Sequence, residues 1–154
     1  MEDLRVVLAK QAITERLYQY CVAMDRCDRE LGYAVWHPDG TAHYDDMFEG
    51  SGRDFVDFGQ SSHETVFAGT SHQITNVSIQ VDGDHARSLS YVTAVLAIAG
   101  TELHYTILGR YQDDWSCRDG EWRIDARRFD TDLWHVLPRN HELMATMQPP
   151  APEV

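Results

Sequence analysis

The stretch at residues 71–99, SHQITNVSIQVDGDHARSLSYVTAVLAIA, decides the fold. It is rich in β-branched and aromatic residues, the composition of strands. Asp82-Gly83-Asp84 divides it in two, and Asp-Gly is a hairpin signal because both residues accept positive φ. Two similar runs follow, ELHYTILGRYQDDW (102–115) and EWRIDARRFDTDLW (121–134). AGTE (99–102) and RDG (118–120) lie between them as further hairpin connections. The pattern predicts an antiparallel meander of four long strands.

The chain before this stretch has a different period. Leu4, Val7, Leu8, Ala12, Leu17, Tyr20 and Met24 recur near helical spacing, which predicts a helix over 4–24. Asp28 is the expected N-cap of a second short helix through about Val35. HPDG (37–40) reads as a turn, TAHYDD (41–46) as a short strand, EGSGRD (49–54) as a loop, and 53–67 as a third helix. Helices first and strands afterwards define an α+β layout, with helices on one face of a curved antiparallel sheet. Long strands bent around a few helices make a cone, and a cone with a helical lid encloses an apolar pocket.

The 154 residues fit one domain, placed at 1–140, with 141–154 as a Pro-rich, loosely ordered tail. Hydrophobic residues make up 43% and charged residues 25%, as in ordinary globular proteins. The net charge of −12 repels phosphate backbones and argues against nucleic acid as a partner. Cys21, Cys27 and Cys117 are odd in number and show no Cys-x-x-Cys spacing, so a disulfide framework or zinc site is not expected. The N-terminus lacks an apolar core like that of a signal peptide, and no run reaches the ~18 apolar residues of a membrane span. The expectation is a cytoplasmic protein.

No local catalytic motif is present, so any chemistry must come from residues that the fold brings together. His72 opens the first long strand, and histidine is the side chain most easily poised as a base near neutral pH. Asp25, near the end of the first helix in AMDRCD (23–28), is a candidate carboxylate partner. The bland alternatives are a strand-end histidine bonded to a neighbour and a solvated helix terminus. Tyr44 is a candidate donor to a substrate oxygen, or simply a tyrosine of a pocket wall. His43, Asp45 and Asp46 lie close in sequence, but alternation sends adjacent strand residues to opposite faces, so no metal site is expected. Trp122, Ile124, Ala126 and Arg128 share one face by the same alternation. Arg128 would then point inwards, to bind an anionic group or to pair with Asp130 or Asp25.

Taken together, ITERLYQYCVAMDRCD, HETVFAGTSHQITNVSIQVDGDHA and GRYQDDW…DGEWRI resemble the SnoaL-like branch of the nuclear transport factor 2-like superfamily. The resemblance covers about residues 5–130. It implies a cone-shaped α+β barrel, usually oligomeric (trimer or dimer), with a deep pocket for a small hydrophobic substrate. Within that branch the chain is similar to the scytalone dehydratase and hexachlorocyclohexane dehydrochlorinase group. There an Asp ending the first helix pairs with a His starting the first long strand, and Asp25 and His72 fall on those positions. Tyr44 resembles a dehydratase tyrosine that polarises a carbonyl through water, and Arg128 lies near a pocket arginine of the dehydrochlorinase. The chain departs from the group in having Met24 in place of a pocket tyrosine and Tyr20 in place of a pocket lysine.

The resemblance implies a cofactor-independent lyase with no metal, acting by elimination with His72 as base, Asp25 as its partner, and Tyr44 and Arg128 assisting. Isomerisation, cyclisation or aldehyde-releasing carbon–carbon cleavage would use the same pair, and a non-catalytic binding module is a further alternative. By strict alternation His72 lies on the face opposite Val77, Ile79 and Val81. Either a bulge switches the register, or the apolar outer face is an oligomer interface. The second explanation is the expectation.

Overall fold

The computed structural model describes residues 4–139, and the Pro-rich tail expected at 141–154 lies outside them. The first helix, α1, spans Leu4–Arg26 and ends where Cys27 takes a positive φ of 53°. It buries Ala9, Ile13, Leu17, Tyr20, Cys21 and Met24, one stripe at helical spacing. Leu4, Val7 and Leu8, expected on that stripe, are exposed, because the first turns of α1 run past the core. Asp28 caps the second helix, α2 (Arg29–Ala34), accepting from the Leu31 amide at 3.0 Å as its sequence position predicts.

The strand β1 (Trp36–Tyr44) absorbs the expected HPDG turn as an irregularity: pairing jumps from Trp36 to Thr41 while its partner advances from Ile124 to Ala126. The expected loop at 49–54 is instead a second strand, β2 (Phe48–Ser51), paired antiparallel with β1. Ser51 then caps the third helix, α3 (Gly52–Val66), through the Asp54 amide. The meander follows as β3 (Phe67–Asp82), β4 (His85–Ile98), β5 (Leu103–Arg118) and β6 (Glu121–Pro138).

The six strands form one curved, unclosed sheet in the order β2-β1-β6-β5-β4-β3. All neighbours are antiparallel except β1 and β6, so the first hairpin joins the meander in parallel. The helices pack into its concave side around Trp36, Trp115, Leu17 and Ile13. This is the expected α+β cone. No helix among the described residues is long and apolar enough to cross a membrane.

Two bulges set which side chains face inwards. Opposite β4, the pairing shifts between Thr75 and Ser78, and Asn76 sits there with φ of 50°. The extra residue reverses the alternation. Consequently His72 and Ile74 before it, and Val77, Ile79 and Val81 after it, all turn towards the interior. The expected interface explanation for that apolar set is therefore corrected: the bulge puts it in the core. On β6, pairing shifts between Ile124 and Ala126, leaving Asp125 as the extra residue. Trp122 and Ile124 are buried before it, and Arg127 and Phe129 after it.

Candidate active site

Asp25 lies in the last turn of α1, which brings its carboxylate against β3. His72 Nδ1 is 2.6 Å from Asp25 Oδ1. The His72 backbone amide donates to Oδ2 at 3.0 Å, and the Thr70 hydroxyl donates to Oδ1 at 3.0 Å. Burial pushes the Asp25 carboxyl up, but these hydrogen bonds and the His72 charge outweigh it and hold it below the usual carboxylate range. An ionised carboxylate only accepts, so His72 Nδ1 carries a proton, and in the neutral imidazole the lone pair is the one on Nε2.

His72 lines a partly open cavity of about 280 Å³ between the helices and the sheet. Its walls are largely apolar, with Met24, Phe55, Val92 and Phe129 among them. Tyr44 also lines it, stacked on Phe55 with ring centroids 3.6 Å apart. The Tyr44 and Tyr20 hydroxyls lie 3.0 Å apart. Tyr20 also shares a hydrogen bond with Tyr111, so the three phenols form one network whose last hydroxyl proton has no phenol to go to. Burial pushes the Tyr20 and Tyr44 phenols well above their usual range, so they stay protonated.

The inward direction expected for Arg128 is corrected, while its pairing with Asp130, one of the expected alternatives, is present. The Asp125 bulge turns Arg128 outwards, where it is 62% exposed and paired with Asp130. It lies in an open groove on the outer face, beside His43 and Gln112. The inward arginine is Arg127, fully buried and bonded through Nε and Nη2 to both oxygens of Asp113, at 2.7 and 2.9 Å. Burial works against its charge, but the Asp113 carboxylate holds it protonated. Its guanidinium carbon lies 4.4 Å from the Tyr20 ring centroid and 3.9 Å from that of Tyr111. Arg127 therefore braces the tyrosine floor of the cavity from behind.

Sequence reasoning missed His63, Tyr111 and the Asp113–Arg127 pair. His63 lines the cavity from α3, its ring stacked on His72 with centroids 5.4 Å apart. A signal for it was available: Phe55, Val56, Gly59 and Gln60 are the buried stripe of α3, and His63 continues that stripe at helical spacing.

A curved α+β cone with helices packed into its concave side is the nuclear transport factor 2-like fold. Within it, the chain belongs to the SnoaL-like domain family, whose pattern matches residues 5–128. A scytalone dehydratase-like protein from Novosphingobium aromaticivorans DSM 12444 is similar in structure, with a TM-score of 0.78 and 26% identity over 88% of this chain and 91% of that one. A type 3 hexachlorocyclohexane dehydrochlorinase from Novosphingobium barchaimii LL02 gives a TM-score of 0.79 at 16% identity, over 88% and 94%. A nuclear transport factor 2-like protein from Salmonella enterica serovar Typhimurium gives 0.74 at 18%, over 83% and 94%. The last two likenesses concern the fold alone. No curated protein matches the chain in sequence.

Proposed function

We propose that the protein is a cofactor-independent lyase that eliminates water from a small, hydrophobic cyclic substrate. One observation carries this reading: the 2.6 Å contact between His72 Nδ1 and Asp25, which leaves Nε2 as a base on an apolar cavity. Membership of a family with dehydratase and dehydrochlorinase neighbours supports it. His72 Nε2 takes a proton from carbon, and the C–H electron pair becomes the new double bond. The hydroxyl leaves, and the imidazolium returns the proton to complete water. Asp25 keeps the imidazole in the productive tautomer and balances its charge. A hydroxyl proton of the Tyr20–Tyr44–Tyr111 network is donated to a carbonyl oxygen that gains charge during proton removal.

Such a base is worth on the order of 10²–10⁴ in rate. His72→Ala and Asp25→Asn should each lower turnover by about that factor while circular dichroism stays native. Full activity in either variant ends this mechanism. Product mass separates elimination from isomerisation, which leaves mass unchanged, and from carbon–carbon cleavage, which releases a fragment. A non-catalytic binding module would leave the pair free to stand apart, and the short contact favours catalysis over it.

We also propose that the protein is a homo-oligomer. Leu133, Trp134, Val136 and Leu137 stand 42–66% exposed at the end of β6, an apolar stretch that a second copy would cover.

A further inference from the structure

The mechanism leaves His63 unused. Its Nδ1 is 3.0 Å from the Met24 carbonyl oxygen. A carbonyl only accepts, so Nδ1 carries the proton and Nε2 is an unprotonated acceptor. His72 is arranged in the same way, with its Nδ1 anchored on Asp25. One cavity wall thus carries two imidazoles, each tied down by its donor and each with a lone pair to spare. Burial pushes His63 below the usual histidine range, outweighing the Met24 carbonyl, and charge on His72 pushes it the same way. A proton on His72 therefore disfavours a second one on His63 and favours its acceptor form.

A purely apolar ligand would cover that lone pair and leave it unpaired, which is costly once the ligand has displaced water. A hydroxyl hydrogen removes the cost. The geometry points to His63 as a specificity-determining residue: its Nε2 accepts a hydrogen bond from a substrate hydroxyl close to the carbon that His72 deprotonates. An acceptor builds negative charge on that oxygen and makes it a poorer leaving group. The hydroxyl held by His63 is therefore retained, and a different one departs. The placement of the carbon rests on the proposed role of His72, but acceptance of the hydroxyl by His63 does not.

The test uses 2-naphthol and its methyl ether, 2-methoxynaphthalene, titrated by calorimetry into wild type, His63→Phe, His63→Gln and His72→Phe. The ether keeps the ring and the acceptor oxygen but has no hydroxyl hydrogen. Wild type should bind the naphthol roughly ten-fold more tightly. His63→Phe should bring the two affinities together, His63→Gln should restore part of the preference through its amide oxygen, and His72→Phe should keep it. In ¹⁵N-histidine spectra of the wild type, the unprotonated nitrogen of His63 should move with the naphthol and not with the ether. A preference that survives His63→Phe, or a His63 protonated at Nε2, overturns the proposal and leaves the His72 mechanism standing. Loss of the preference in His72→Phe alone transfers the contact to His72 and also overturns it. If neither probe binds any of the proteins, the proposal falls together with the reading of the cavity as a substrate site.

Discussion

A carboxylate that accepts from an imidazole, a hydroxyl and a backbone amide is held in its charged form, and Asp25 accepts from all three. Its carboxyl is held low in the fold, so the unfolded chain takes up this proton first as pH drops. The stability it contributes is complete above about pH 4 and is lost as pH falls through the lowered value. Asp25→Asn should be less stable at pH 7 and show a shallower acid decline, read from urea midpoints across the acid range. His63 is also held low, but as a base. The unfolded chain protonates this histidine below about pH 6.5 while the folded chain resists, so stability falls as pH drops beneath that point. His63→Phe should flatten the melting temperature across that window. At the buried pair, Arg127→Met leaves Asp113 as an uncompensated charge and should cost roughly 3–5 kcal/mol. Adding Asp113→Leu should recover most of it, a double-mutant result that denaturation can read.

The elements themselves were legible where their signals are local. The stripe on α1 from Leu17 through Met24, the Asp28 cap and the three hairpin turns are written in neighbouring residues, and each forms where expected. What alternation could not supply was the register beyond a bulge. Asn76 and Asp125 each add one residue to a strand, and the ladder partner, many positions away, decides where that residue goes. One shift put Val77, Ile79 and Val81 on the same side as His72, and the other exchanged Arg128 for Arg127. The α1–β3 link between Asp25 and His72 was visible only through family resemblance, since nothing local to either residue names the other. Asn76 holds a left-handed backbone, which Gly accepts freely and a β-branched residue does not. Asn76→Ile should therefore cost about 1–2 kcal/mol, with Asn76→Gly near neutral. Deleting Asn76 should turn the second half of β3 inside out and abolish cooperative unfolding.

At the scale of the whole molecule, the cone is closed on one side by helices and open along its outer strands. The apolar end of β6 gives the proposed oligomer a concrete test. Trp134 is 64% exposed, so its replacement by Glu should disturb no core packing. Trp134→Glu should shift the species seen by light scattering towards the monomer mass. A wild type that is already monomeric at high concentration would remove the proposal. The Asp25–His72 pair, the proposed base, is likewise a property of the whole: it joins residues 47 positions apart and exists only once α1 has docked on the sheet. Conditions that loosen α1 should abolish turnover before the meander melts.

The Asp25 carboxylate also has a consequence unrelated to turnover. β3 is the last strand of the sheet, and the His72 amide on its open flank is satisfied by Asp25 Oδ2 rather than by another strand. An unpaired strand flank is a template on which a second chain can add by backbone pairing. The carboxylate, backed by the last turn of α1, occupies that flank and works as a guard against aggregation. Removing it by Asp25→Ala frees the amide, so an inactive variant of that kind should also be prone to fibrillar self-association. Asp25→Asn, which keeps an oxygen for the amide, should lose turnover as proposed yet remain in solution.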